Sequence, residues 1–384
     1  MMQRRDFIKA LGASLVVFQT PSFAMSLETK QPTSAQPAKF VWVILRGAMD
    51  SLGTVVPAFD ANLLKQRPKL AKSIKEQLLP LDNGFGFHPA LANLHQWYKD
   101  KQLLPVIAVS SGYEERSHFD GQDYLESGLA NIDHDSGWLA RAISQKNVNA
   151  IALARSTPIS LRNTPKANTW YPSRLKDADS DVYQALSTMY ADDKLLLDRL
   201  NQGLTLQGLT QQESNKSTGK FVDLNKACAK LMIDPKSNVD CAMLELGGWD
   251  THSNQNNRLA RQLEELDNGL HALKQGLGRQ WQNTVVIVAT EFGRTVKENG
   301  TLGTDHGTAS AMFIAGGKVK GGQIAGQWPG LADEQLFKNR DLMPTSNTFS
   351  WIARTLNEHW KLTPQQLAHV FPSVPIASAS VIQS

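Results

Sequence analysis

At 384 residues, 41% of them hydrophobic and 20% charged, the chain is long enough for one large α/β domain or two ordinary ones. Its formal charge is +4, and half of that excess comes from Arg4, Arg5 and Lys9 set against Asp6, leaving no clustered basic face for a nucleic acid. Two cysteines, Cys228 and Cys241, are too few for a disulfide scaffold or a Cys-rich zinc site, and either pair across a short loop or lie as two buried thiols.

The first predicted element is a leader. Met1-Met2-Gln3-Arg4-Arg5-Asp6-Phe7-Ile8-Lys9 matches the twin-arginine pattern, Ala10 to Phe18 is apolar, and Ser22-Phe23-Ala24 is a small-x-Ala exit. Residues 1–24 therefore read as a Tat signal peptide cleaved after Ala24. The apolar run falls short of the roughly 20 residues that span a bilayer, and no later segment reaches that length. A periplasmic protein without a stable membrane span is expected, with the Tat translocase as its partner during export. That route carries folded cargo, often already loaded, which favours a bound metal.

Residues 25–38 are polar, contain Pro32 and Pro37, and read as a linker to a single domain at 39–384. Short apolar runs follow at 40–45, 104–109, 150–153, 242–246, 284–289 and 311–315. Unbroken rather than alternating, they predict strands buried on both faces, hence a mostly parallel sheet. A helix is predicted from Asn254 to Leu277, where Leu259, Leu263, Leu266, Leu270, Leu273 and Leu277 form one stripe. Others are expected after Ser117 and near Thr345. Strands alternating with helices give a doubly wound α/β sandwich. The polar, partly helical stretch 155–240 reads as an insertion beside the sheet.

Ligands of such sheets bind outside the carboxyl ends of the strands, and those exits here are rich in reactive side chains. The first leaves through Arg46-Gly47-Ala48-Met49-Asp50-Ser51, and the second leads to Arg116-Ser117-His118. Later exits carry Gly248-Trp249-Asp250-Thr251-His252 and Glu291-Phe292-Gly293-Arg294, while Thr304-Asp305-His306 precedes the last strand. Ser117 either attacks as a nucleophile at a helix start or caps that helix with Asp120. His118 reads as a ligand, a base or a donor behind a ligand. Arg46 and Arg294 either clamp an anion or pair with the carboxylates, and His88 reads as a loop buttress. No strand-Gly-x-Gly-x-x-Gly-helix unit occurs, which argues against a dinucleotide.

The stretches "LRGAMDSL", "RSHFDGQDYLESG", "GGWDTHSNQ", "EFGRTVKENG" and "GTDHGTASAMFIAGG" resemble the Tat-exported family of domain of unknown function number fifteen-oh-one, in the alkaline-phosphatase-like, sulfatase-like superfamily. The resemblance implies that fold and a metal site drawn from Asp50, Asp250, His252, Glu291, Asp305 and His306. It also implies a catalytic set of Ser117, His118 and Arg46, a divalent ion (zinc, manganese, magnesium or calcium) and a small anionic ester as ligand. The sequence departs from the superfamily's metallophosphatases in spacing Asp250 only two residues from His252, so both must act from a loop. It also carries Glu291-Phe292 where they carry Asp and His, which points to one metal rather than two, or to an ion harder than zinc. The leading reading is a metal-dependent hydrolase of a phosphate or sulfate ester, with Ser117 or a metal-activated water as attacking group. The competing reading is a ligand- or partner-binding protein of the cell envelope in which catalysis has been lost.

Overall fold

The computed structural model describes residues 37–172, 180–216 and 219–383, with the side chains of 210–216 left out. The predicted leader and all but the end of the linker lie outside them. In chain order the strands are β1 (Lys39–Arg46), β2 (Val55–Pro57), β3 (Leu79–Pro80), β4 (Phe85–Phe87), β5 (Leu103–Ser110) and β6 (Ala150–Ala152). There follow β7 (Ala167–Thr169), β8 (Cys241–Gly247), β9 (Thr284–Thr290), β10 (Ser310–Gly316) and β11 (Ser346–Asn347). Eight form one sheet in the order β11-β5-β10-β9-β1-β8-β6-β7, and β2-β4-β3 form a small antiparallel one. All pairings in the large sheet are parallel except those of β10, which runs against both β5 and β9.

Strand β1 lies between β8 and β9, with Val43 opposite Leu244 on one side and Val288 on the other. Because side chains alternate across a strand, β1 feeds two cores. Val41, Val43 and Leu45 join one apolar cluster, and Phe40, Trp42 and Ile44 join another. The first is covered by helices Gln255–Leu277 and Phe221–Ile233, and all six leucines of the predicted stripe are buried in it. The second holds Trp138, Leu139 and Ile143 of helix Trp138–Lys146, with Phe349, Ile352 and Leu356 of helix Thr348–Trp360. This is the mostly parallel sheet between helices that the apolar runs predict. Cys228 and Cys241 are both free and buried, and burial raises the thiol pKa of each.

Antiparallel β10 decides where the site forms. Residues after a parallel strand and residues before an antiparallel one reach the same edge of a sheet. The segment before β10 therefore meets the exits of β1, β5, β8 and β9.

Two histidines outside the centre tie stability to pH. His88 accepts the Ala90 amide on Nδ1 at 3.1 Å, and His359 Nε2 lies 2.8 Å from the Lys39 carbonyl. Burial pushes each down to about 4, against about 6.5 in an unfolded chain. Between those values the unfolded chain takes up protons that the fold refuses, so stability is full above about pH 6.5 and falls toward pH 4. The loss approaches about 3 kcal/mol for His88 alone. Urea melts at pH 7 and pH 4.5 are expected to show it, and equal midpoints would contradict the assignment.

Candidate metal centre

The centre is assembled from three exits and the segment before β10. His118 opens helix His118–Ser127, whose N-cap is Ser117: its Oγ accepts the Asp120 amide at 3.4 Å. The capping role is thus the one its geometry shows. Asp250 and His252 sit on the loop after β8, as their spacing requires, and His306 lies on the approach to β10. Two glycines permit the packing. A Cβ on Gly47, at φ +120°, would stand 2.7 Å from the Asp250 amide nitrogen, and one on Gly303 would stand 2.2 Å from the His252 carbonyl oxygen.

Each imidazole is oriented from behind. His118 Nδ1 donates to Glu291 Oε1 at 2.8 Å, His252 Nδ1 to Asp305 Oδ1 at 3.0 Å, and His306 Nδ1 to the Arg116 carbonyl at 2.8 Å. All three partners are acceptors, so each Nδ1 carries the hydrogen and each Nε2 presents its lone pair. These lone pairs converge. Asp250 Oδ1 lies 3.4 Å from His118 Nε2, 2.9 Å from His252 Nε2 and 3.3 Å from His306 Nε2, and the last two nitrogens are 3.0 Å apart. The donor atoms of His118, Asp250 and His306 all fall within 4.8 Å of one another. The His118 ring stacks on Phe292, with centroids 5.0 Å apart and planes 22° apart, and meets His306 edge-on at 4.2 Å. His118 Nε2 is buried with no hydrogen-bond partner among the described residues.

The electrostatics follow from the same contacts. Burial drives Asp250 upward, but Arg294, bonded to it at 2.6 Å, and the histidines outweigh burial and hold the carboxylate down at about 2. Glu291, fully buried, is likewise pushed up by burial and brought below the usual range by bonds from His118, Thr290 and Gln122. Burial lowers His118, yet Glu291 and Asp250 outweigh it and raise its pKa. Burial lowers His306 outright. A cluster of lone pairs facing an ionised carboxylate has the chemistry to hold a cation.

The candidates named from sequence divide accordingly. Asp250, His252 and His306 converge with His118, while Glu291 and Asp305 stand behind His118 and His252. Asp50 is not among them. It is 1% exposed and bound by Arg67 through Nη1 at 2.6 Å and Nη2 at 2.9 Å, and by Gln255 Nε2 at 2.7 Å. Every guanidinium nitrogen of Arg46 already has a partner within the fold. Its Nε bonds Glu245 at 2.7 Å, Nη2 bonds Glu126 at 2.7 Å, and Nη1 bonds Gln122 Oε1 at 2.8 Å. Gln122 Nε2 then donates to Glu291 at 3.0 Å, so Arg46 acts through Gln122 and Glu291 on His118. Arg294 pairs with Asp250, the second of its two sequence readings. Arg67, Gln122 and Asn299 were not singled out, because ordinary polar residues in loops and on helix faces carry no local signal of their partners.

A mostly parallel, eight-stranded α/β sheet flanked by helices, with four metal-competent donors converging at one edge, defines the class of this protein. The chain belongs to the family described as protein of unknown function (DUF1501), whose model matches residues 133–371. Among solved structures it is similar to the C-terminal periplasmic domain of EptC from Escherichia coli in complex with zinc, at 9% identity, over 74% of each chain, with a TM-score of 0.38. It is also similar to alkaline phosphatase from the Antarctic bacterium TAB5, at 12% identity, over 87% of this chain and 98% of that one, with a TM-score of 0.35. Murine ectonucleotide pyrophosphatase/phosphodiesterase 5 is 11% identical over 67% of this chain and 57% of its own, with a TM-score of 0.32. No curated protein matches the chain. Among the described residues no helix is long and apolar enough to cross a membrane.

Proposed function

We propose that this is an exported, metal-dependent hydrolase of the alkaline-phosphatase-like superfamily, acting on a phosphate or sulfate ester. One observation carries the reading. Zinc with donors at about 2.0–2.1 Å makes a tetrahedron whose edges are about 3.3 Å. Asp250 Oδ1 lies 2.9 to 3.4 Å from the three Nε2 atoms and His252 Nε2 lies 3.0 Å from His306 Nε2, four of the six edges of such a tetrahedron. The donors that all lie within 4.8 Å of one another are those of His118, Asp250 and His306. His118, Asp250, His252 and His306 would hold the ion, and Glu291 and Asp305 keep two of the rings in the ligating tautomer. Three imidazoles suit zinc or another transition metal better than magnesium or calcium, which prefer oxygen. A bound ion would supply charge stabilisation to the ester oxygens. The attacking group would be a metal-bound water or Ser117, next to His118, whose hydroxyl would have to leave its helix-capping bond to Asp120. The twin-arginine leader supports export.

A second reading has its own support. If His252 joins His118, Asp250 and His306, four protein donors fill the tetrahedron, whereas catalytic zinc sites keep one position open. A ligand-binding protein that has lost catalysis needs no such opening. Elemental analysis followed by assays on aryl phosphates and aryl sulfates separates the two. The hydrolase reading expects about one metal per chain and turnover that chelation abolishes. Stoichiometric metal without turnover of either ester selects the binder, and a metal-free protein after reconstitution ends both.

Glu291→Gln tests the layer behind the metal. Exchanging the carboxylate for an amide weakens its grip on His118 Nδ1–H, and metal affinity is expected to fall about 10- to 100-fold. Competition with a chromophoric chelator measures it; an unchanged affinity would remove Glu291 from the centre.

A further inference from the structure

The two loops that carry Asp250, His252 and His306 meet at a buried amide. Gln255, the first residue of helix Gln255–Leu277, is 1% exposed. Its Oε1 accepts the Thr251 hydroxyl at 3.0 Å and the Thr304 hydroxyl at 2.6 Å. Its Nε2 donates to Asp50 Oδ2 at 2.7 Å, and Asp50 is gripped in turn by Arg67. A carbonyl oxygen has two lone pairs, and both are used here. Hydroxyl donors on one side and a carboxylate acceptor on the other leave the amide a single orientation. Thr251 and Thr304 are themselves fully buried.

The places of the two threonines give this contact its meaning. Thr251 stands between Asp250 and His252, and Thr304 immediately precedes Asp305 and His306. Gln255 thus takes one hydroxyl from each donor-bearing segment. Thr304 also accepts Arg294 Nε–H at 3.2 Å, and Arg294 Nη1 donates to Asp250 Oδ1 at 2.6 Å. A continuous line of hydrogen bonds therefore runs from Gln255 through Thr304 and Arg294 to Asp250. The main chains are joined at the same place. The Thr304 amide donates to the Thr251 carbonyl at 3.3 Å, the Gln255 amide to the Leu302 carbonyl at 2.8 Å, and the Asn254 amide to the Thr301 carbonyl at 3.2 Å.

We propose that Gln255 is a positioning residue of the metal centre. It is a buried clamp that ties the loop after β8 to the segment before β10 and so fixes Asp250, His252 and His306 relative to one another. The inference deepens the metal-centre reading above and rests on it. Gln255 touches none of the converging donor atoms. It acts on Asp250 through Thr304 and Arg294, and on the Asp250–His252 loop through Thr251. Groups behind a ligand set its orientation, and buried polar networks of this kind hold one geometry only while every member is satisfied.

The test compares wild type with Gln255→Met, Thr251→Val and Thr251→Ser by zinc titration against a chromophoric chelator, with melting temperature followed in parallel. Gln255→Met keeps the length of the side chain and removes both hydrogen-bonding atoms; zinc affinity is expected to fall about 10- to 100-fold. Thr251→Val removes one hydroxyl with little change of shape and is expected to lose about 3- to 10-fold. Thr251→Ser keeps the hydroxyl and is expected to bind zinc as wild type does, which a purely packing role for this residue would not allow. Adding Thr251→Val to Gln255→Met should cost nothing further, because the two changes break one shared bond. Wild-type zinc affinity in folded Gln255→Met, or equal losses in Thr251→Val and Thr251→Ser, overturns the proposal; should Gln255→Met not fold, the Thr251 pair decides. Absence of zinc from wild type overturns the metal-centre reading instead. The clamp is then judged by hydrogen exchange on metal-free Thr251→Val and Thr251→Ser. Amides of residues 299–306 are expected to exchange about 10-fold faster in the valine variant alone, with those of β1 and β9 unchanged. Equal exchange in the two variants overturns it.

Discussion

His306→Ala is expected to lower metal affinity by more than about 100-fold, beyond the loss that follows removal of a group behind a ligand. The substitution removes a neutral ring and leaves Arg294 paired with Asp250, so it strips one donor without stranding a charge. It also frees the Arg116 carbonyl, which can turn to water. Zinc titration of the variant, with circular dichroism to establish that it is folded, measures the effect. A folded variant that binds the ion as tightly as wild type would remove His306 from the ligand set and, with it, the tetrahedral argument.

Asp50→Ala should have the opposite signature: a large loss of stability with the metal retained. Arg67, 1% exposed, would be left as a buried cation facing no carboxylate, and Gln255 would lose its acceptor. Breaking one side of a buried pair costs about 3–5 kcal/mol, which for a chain of this size lowers the melting temperature by about 5–10 °C. Metal stoichiometry is expected to stay at the wild-type value. Loss of the metal with an unchanged melting temperature would restore Asp50 to the ligands.

Much of this architecture is legible in the sequence because of how the sheet is covered. All six apolar runs become strands, since a strand buried on both faces needs an apolar side chain at every position. For the same reason the direction of β10 is invisible: an antiparallel strand in the middle of the sheet is as uniformly apolar as its parallel neighbours. The two- and three-residue strands β2, β3, β4, β7 and β11 are not legible as strands, because none lies in one of the longer apolar runs. At the site, the clustering of Asp250, His252, Asp305 and His306 follows from loops between glycines at strand ends. What the sequence does not disclose is the pairing of charges. Nothing local joins Asp50 to Arg67, 17 residues on, or directs Arg46 toward Glu126 and Glu245. Those choices are made in three dimensions, where each buried charge takes the partner within reach.

The layer behind the imidazoles has a consequence for the kinetics of exchange. Glu291 has no exposed surface and is bonded by the Gly47 amide, the Thr290 hydroxyl and Gln122 as well as by His118. That half of the centre is therefore anchored to the sheet itself. The His252 and Asp305 side chains are 44% and 52% exposed, and Asn299 Nδ2 donates to the His252 carbonyl and to Asp305 Oδ1. An ion would then enter and leave by way of His252, and loosening the 299–306 loop would shorten its residence time while the His118 side keeps its shape.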